Sequence, residues 1–237
     1  MVDAMGTDPR SADGRGRLGG TGMSGPSTRL AGVSDTPIAV VLFDLDGVFR
    51  QWNDDQLDEV EQSFGLPPRT ILDVAFSPEL GPLAITGRLT FPEWMTEVRS
   101  RVIARYGTDA HGAIDEWEAN VGRVDTDMLQ MLRQVRARTT AAMLSNGTTR
   151  LRRDLHVLDL LDEFDHIFNT AELGIAKPNP DVFRLVCATL EVPPERILFI
   201  DDLAENVAGA TEAGLSAHQH VDQVSTTEFL RSHGVLP

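Results

Sequence analysis

Ile38-Ala39-Val40-Val41-Leu42-Phe43-Asp44-Leu45-Asp46-Gly47-Val48 is the stretch of this 237-residue chain whose reading decides its fold. Its first six residues are an unbroken apolar run rich in β-branched side chains, which suits a strand buried on both faces. The run stops at two aspartates and a glycine, residues that form turns and carry no apolar surface. Three further runs of the same kind follow at Thr140 to Leu144, His166 to Phe168 and Ile197 to Ile200. Helical periodicity separates them. Asp127 to Arg136 puts Met128, Leu129, Leu132 and Val135 on one face, and Asp181 to Leu190 does so with Val182, Phe183, Val186 and Leu190 behind Pro180. Strands that alternate with helices call for a parallel sheet with right-handed crossovers, an α/β fold with a Rossmann-like core.

One interval breaks that rhythm. From Asn53 to Gly122 the pattern is helical: Gln56 to Phe64, Pro68 to Ala75, Phe91 to Tyr106 and Ala110 to Asn120. That is too much helix for one crossover, so residues 53–122 read as a helical subdomain inserted after the first strand, with residues 36–52 and 123–237 as the core. Ahead of the core, residues 1–35 hold eight glycines and almost no large apolar side chains. Such a segment cannot bury enough surface to offset its ordering entropy, so a disordered tail is expected. Its four arginines balance its four aspartates, which leaves the whole net charge of -15 on residues 36–237.

That charge, with a pI near 4.7, repels phosphate backbones and anionic lipid. Nucleic-acid and membrane partners are therefore not expected, and an anionic substrate needs local cations. The longest apolar stretch falls well short of the roughly 20 residues of a spanning helix. The N-terminus has no apolar core behind a basic start, as a secretory signal would. The single cysteine, Cys187, fits a reducing compartment and reads as a small core residue. A cytoplasmic monomer or homodimer is the expectation. Trp52, Trp94 and Trp117 read mainly as core. Arg150, Arg152 and Arg153 read as the solvated start of a helix, and His218 and His220 as strand residues that share one face.

Ligands of open parallel sheets bind beyond the carboxyl ends of the strands. The first run is followed there by Asp44 and Asp46, the second by Ser145-Asn146-Gly147, and the fourth by Asp201-Asp202 with Asn206 and Gly209 beyond. Lys177 stands in the loop after the third. These groups suit phosphoryl transfer. A carboxylate can attack phosphorus, and a second carboxyl two residues on can protonate the leaving oxygen and then activate water. Adjacent acidic residues can hold Mg²⁺, which lets one anion approach another. An ammonium and a hydroxyl can steady the phosphoryl oxygens.

In this order, each behind a strand, the four segments resemble the signature motifs of the haloacid dehalogenase-like superfamily across residues 37–221. The resemblance implies that Asp44 is the nucleophile and Asp46 the general acid/base. Ser145 and Asn146 would contact phosphate, Lys177 would anchor it, and Mg²⁺ would be held by Asp44, the Asp46 backbone carbonyl and Asp202. Side chains alternate along a strand, so Asp201 and Asp202 cannot face one ion alike, and Asp201 would act from behind. The helical insertion resembles the cap of the subgroup whose cap follows the first motif. Its length and Phe91-Pro92-Glu93-Trp94 are similar to those of sugar-phosphate phosphatases and of the phosphatase domain of soluble epoxide hydrolase. The implied activity is hydrolysis of a small phosphorylated metabolite, sugar phosphates included. Three rivals stand beside it: a dehalogenase, against which Asp46 argues, a phosphosugar mutase, and an idle binding protein on the same fold.

Overall fold

A computed structural model describes residues 37–237, so the tail expected at 1–35 lies outside the described residues. Five parallel strands form the central sheet: β1 (Val40–Phe43), β4 (Thr140–Ser145), β5 (His166–Asn169), β6 (Ile197–Asp201) and β7 (Ser216–Gln219). Their order is β5-β4-β1-β6-β7, with Phe43 level with Met143 on one side and Ile200 on the other. The chain thus winds outward from β1 in both directions. The carboxyl end of β1 is the point where a crevice opens in such sheets.

Alternation along β1 divides the core into two layers. Val41 and Phe43 face a cluster built with α6 (Thr126–Arg136), α7 (Leu151–Val157) and α11 (Gln223–Ser232). Val40 and Leu42 face the opposite cluster, built with α9 (Pro180–Leu190) and α10 (Ala204–Glu212). Cys187 is buried in that second layer. A short α8 (Thr170–Leu173) follows β5 directly.

Between β1 and α6 the chain is mostly helical: α1 (Asp54–Ser63), α2 (Thr70–Ala75), α3 (Gly81–Ile85), α4 (Phe91–Tyr106) and α5 (His111–Ala119). These helices bury an apolar cluster of their own, centred on Trp94, Val98, Val102 and Ile114. Sequence gives α4 its limits. Thr90 and Glu93 close a capping box, Pro92 suits the first turn, and Gly107 ends the helix at φ 86°. At the root of the segment β2 (Arg50–Gln51) pairs antiparallel with β3 (Arg123–Val124). Neither strand was expected, because two residues are too few to show a period. The described residues fall in one compact unit, and none of their helices is long and apolar enough to cross a membrane.

Candidate active site

Asp44 is the first residue past the central strand, and its N–H donates to the Ile200 carbonyl at 2.8 Å. Lys177, buried on the neighbouring loop, places Nζ 2.7 Å from Asp44 Oδ1 and 2.6 Å from Asp201 Oδ2. Burial pushes the Asp44 carboxyl up to about 7 against the pull of Lys177, and Asp201 and Asp46 add to the rise. Burial works against the Lys177 charge too, but Asp44 and Asp201 outweigh it and raise that ammonium. Asp201 is fully engaged: Oδ2 meets Lys177, while Oδ1 accepts from the Leu203 N–H and the Asn206 amide, each at 2.9 Å. Asp202 is only half-buried, and its carboxyl is raised by burial and then by Asp201. Gly47 (φ 79°) lies against it so closely that a Cβ there would collide with the Asp202 carboxylate.

Ser145 ends β4, and its hydroxyl oxygen is buried without a hydrogen-bond partner. Asn146 does something the sequence did not foretell. Its side chain accepts from the Lys177 N–H at 2.9 Å and donates to the Lys177 carbonyl at 3.0 Å. The side chain expected to contact phosphate thus also clamps the Lys177 backbone. Asp46 is held by two residues that sequence reading left out. Arg50 reaches it twice, Nε to Oδ1 at 2.6 Å and Nη2 to Oδ2 at 2.9 Å, and the Trp52 indole donates to Oδ1 at 2.6 Å. Spacing held the signal for Arg50, four residues on across a tight turn, but only the turn shows that the two side chains meet.

Arg50 also lies 3.7 Å from buried Asp154, which Arg150 contacts at 2.9 Å. Arg150 donates on to the carbonyls of Glu118 and Asn120 and covers the Phe91 ring at 4.2 Å. The reading of Arg150 as solvated is thus corrected: Asp154, two carbonyls of the helical segment and the Phe91 ring take up its guanidinium. Arg152 remains on the surface, paired with Glu172. Of the tryptophans only Trp94 is core. Trp52 is 41% exposed, and both Trp52 and Trp117 line a cavity of about 400 Å³ between the helical segment and the sheet, beside Asp46, Asn146 and Gly147. His218 and His220 stay at the sheet edge, where His218 stacks on Phe229 and His220 meets Thr226.

One oxygen from each of Asp44, Asp201 and Asp202 lies within 4.8 Å of the others. One ammonium serves this cluster, and two of the carboxyls are raised by burial and mutual repulsion. An all-oxygen, anion-rich donor set fits a hard divalent cation.

The sequence profile of a haloacid dehalogenase-like hydrolase matches residues 38–214. Bifunctional epoxide hydrolase 2 of Rattus norvegicus is 25% identical over 223 residues, which is 81% of this chain and 40% of the relative. The chain thus spans about two-fifths of that protein's length. A sesquiterpene phosphatase of Aspergillus oryzae is 28% identical over 113 residues, covering 46% of this chain and 57% of the relative. Among solved structures, a HAD family enzyme from Bacteroides thetaiotaomicron, in complex with magnesium and inorganic phosphate, superposes with a TM-score of 0.64 at 22% identity, covering 77% of this chain and 93% of that one.

Proposed function

Because the chain belongs to the haloacid dehalogenase-like hydrolases, we propose that it is a Mg²⁺-dependent phosphatase that works through an aspartyl-phosphate on Asp44. The observation that carries this reading is Asp46, a second carboxyl at the mouth of the cavity, oriented by Arg50 and Trp52. Dehalogenase chemistry on this fold has no use for such a group, whereas a phosphate ester needs a proton for its leaving oxygen. The name of one relative, the sesquiterpene phosphatase, and the phosphate-bound neighbour support the same reaction.

Asp44, the Asp46 backbone carbonyl and Asp202 would hold the ion, which when bound neutralises charge between the nucleophile and the phosphoryl oxygens. Asp44 attacks phosphorus as the bond to the leaving oxygen breaks, and Asp46 gives that oxygen its proton. Both Asp46 oxygens accept hydrogen bonds in the present arrangement, so Asp46 releases Trp52 or one arm of Arg50 to do this. Asp46, now a carboxylate, takes a proton from water, and the hydroxide attacks phosphorus and frees Asp44 with loss of phosphate. Lys177 and the Ser145 hydroxyl steady the equatorial oxygens throughout. The insertion acts as a cap that covers the cavity and keeps bulk water out.

A p-nitrophenyl phosphate assay tests the reading. Turnover should need Mg²⁺, stop in excess EDTA and return when Mg²⁺ is restored. Full turnover in excess EDTA, or none at any Mg²⁺ concentration, would contradict it.

A further inference from the structure

The reading above leaves open what the phosphate is attached to, and the cavity beside Asp46 bears on that question. Its apolar lining includes Leu57, Leu72, Phe76, Phe91, Trp94 and Trp117. Trp94 is the hub: its ring centre lies 5.4 Å from Phe76, 5.8 Å from Phe91 and 5.7 Å from Trp117. The Trp94 N–H is taken by the Ala75 carbonyl at 2.9 Å and the residue is buried, so Trp94 backs the wall that Phe76 and Trp117 present. Phe76 is 53% exposed, a large aromatic face that gains by being covered.

Several polar groups of the same cavity are committed elsewhere, and Arg69, exposed and 3.8 Å from Asp73, is the main one left open. Arg50 is spent on Asp46, and Arg150 on Asp154 and two backbone carbonyls. The Asn53 oxygen caps α1, the Asn120 oxygen accepts from Gly122, and the Glu118 carboxylate accepts from Arg99. A polyol entering here would give up its water and find few partners, at a cost of about 1–3 kcal/mol for each unpaired hydroxyl. A hydrocarbon would give up nothing.

Resting on the phosphatase reading, we propose that the substrate is the phosphate monoester of an apolar alcohol, with Phe76 and Trp117 as the residues that select it and Trp94 as their support. At about 30 Å³ per water-sized group, the cavity holds a hydrocarbon of roughly a dozen non-hydrogen atoms. On this proposal a sugar phosphate, the class implied by the insertion's length and Phe91-Pro92-Glu93-Trp94, would be the poorer substrate.

The protein carries its own reporter, since its three tryptophans all line the cavity. The full-length protein in Mg²⁺ is titrated with alkylphosphonates of increasing chain length and with polyol phosphonates of matching size, and Kd is read from tryptophan fluorescence. Affinity should tighten roughly threefold to fourfold per added methylene until the cavity is full. Each alkyl ligand should bind at least tenfold tighter than its polyol counterpart. Phe76→Ser, at an exposed position where folding is safe, should flatten the chain-length dependence. Affinity independent of chain length, a polyol that binds as tightly, or a dependence untouched by Phe76→Ser would each overturn the proposal. Binding is read without turnover, which separates the two readings. Chain-length-dependent binding with no hydrolysis of any alkyl phosphate would uphold the apolar ligand and overturn the phosphatase. Hydrolysis that favours polyol esters would do the reverse.

Discussion

A hydroxyl buried with nothing to bond costs roughly 1–3 kcal/mol, and Ser145 keeps such a group at the end of β4. It lies level with Asn169 on β5, one strand from Asp44, and in the proposed mechanism it would bond a phosphoryl oxygen. The two aspartates at the end of β6 divide the remaining work in a way that can be measured. Asp201 supports Lys177 and Asn206 and is out of reach of solvent, while Asp202 is half-open beside Gly47. Asp202→Asn should therefore raise the Mg²⁺ concentration for half-activity at least tenfold and leave the melting temperature of the metal-free protein unchanged or higher, since it removes a repelled charge. Asp201→Asn should lower that melting temperature by several degrees, because it weakens a buried hydrogen-bonded ion pair. Calorimetry in EDTA together with Mg²⁺ titrations of activity separates the two. The same pattern with the residues exchanged would reverse their roles.

The elements that carry this site were legible where their pattern was long. β1, β4 and β6 declared themselves as apolar runs, and α6 and α9 as helices with one apolar face, so the sheet and the positions of Asp44, Ser145, Asp201 and Asp202 followed. The ribbon of β2 and β3 did not, because two residues have no period. The partners of Asp46 and Asn146 were hidden for another reason: they depend on how loops return, not on what each loop contains. Glu61 is the clearest such case. On sequence it is one more acid on α1, yet it is buried and accepts from the N–H groups of Thr70 and Ile71, at 3.2 and 2.7 Å, and so caps α2 from a neighbouring helix. Burial raises its carboxyl although those two donors pull it down. Glu61→Ala strands both donors and should cost about 1–3 kcal/mol, a fall of roughly 2–12 °C in melting temperature. An unchanged melting temperature would show that α2 does not depend on this cap. Amide exchange should quicken first in α2, whose Phe76 closes the cavity.

On the scale of the whole molecule, a chain of net charge -15 keeps a few cations beside its carboxylate cluster. Lys177 sits under the nucleophile, and Arg50 and Arg150 run from Asp46 to the backbone of the helical insertion. That insertion is tied to the sheet at further points: Phe91 N–H donates to the Thr149 hydroxyl at 2.8 Å, and the Thr170 hydroxyl donates to the Ile85 carbonyl at 2.7 Å. In the proposed mechanism, acid chemistry at Asp46 and cover over the cavity would share one set of contacts. The proposed phosphatase mechanism depends on Asp44 forming a bond to phosphorus. The Asp46→Asn variant tests this most directly. With p-nitrophenyl phosphate the leaving group needs little protonation, so Asp44 should still be phosphorylated, while water activation, worth on the order of 10²–10⁴ in rate, is lost. Acid-quenched samples examined by intact and peptide mass spectrometry should show one phosphoryl group per chain, mapped to Asp44. Steady release of phosphate from a protein that never carries an adduct, or an adduct on another residue, would contradict the account.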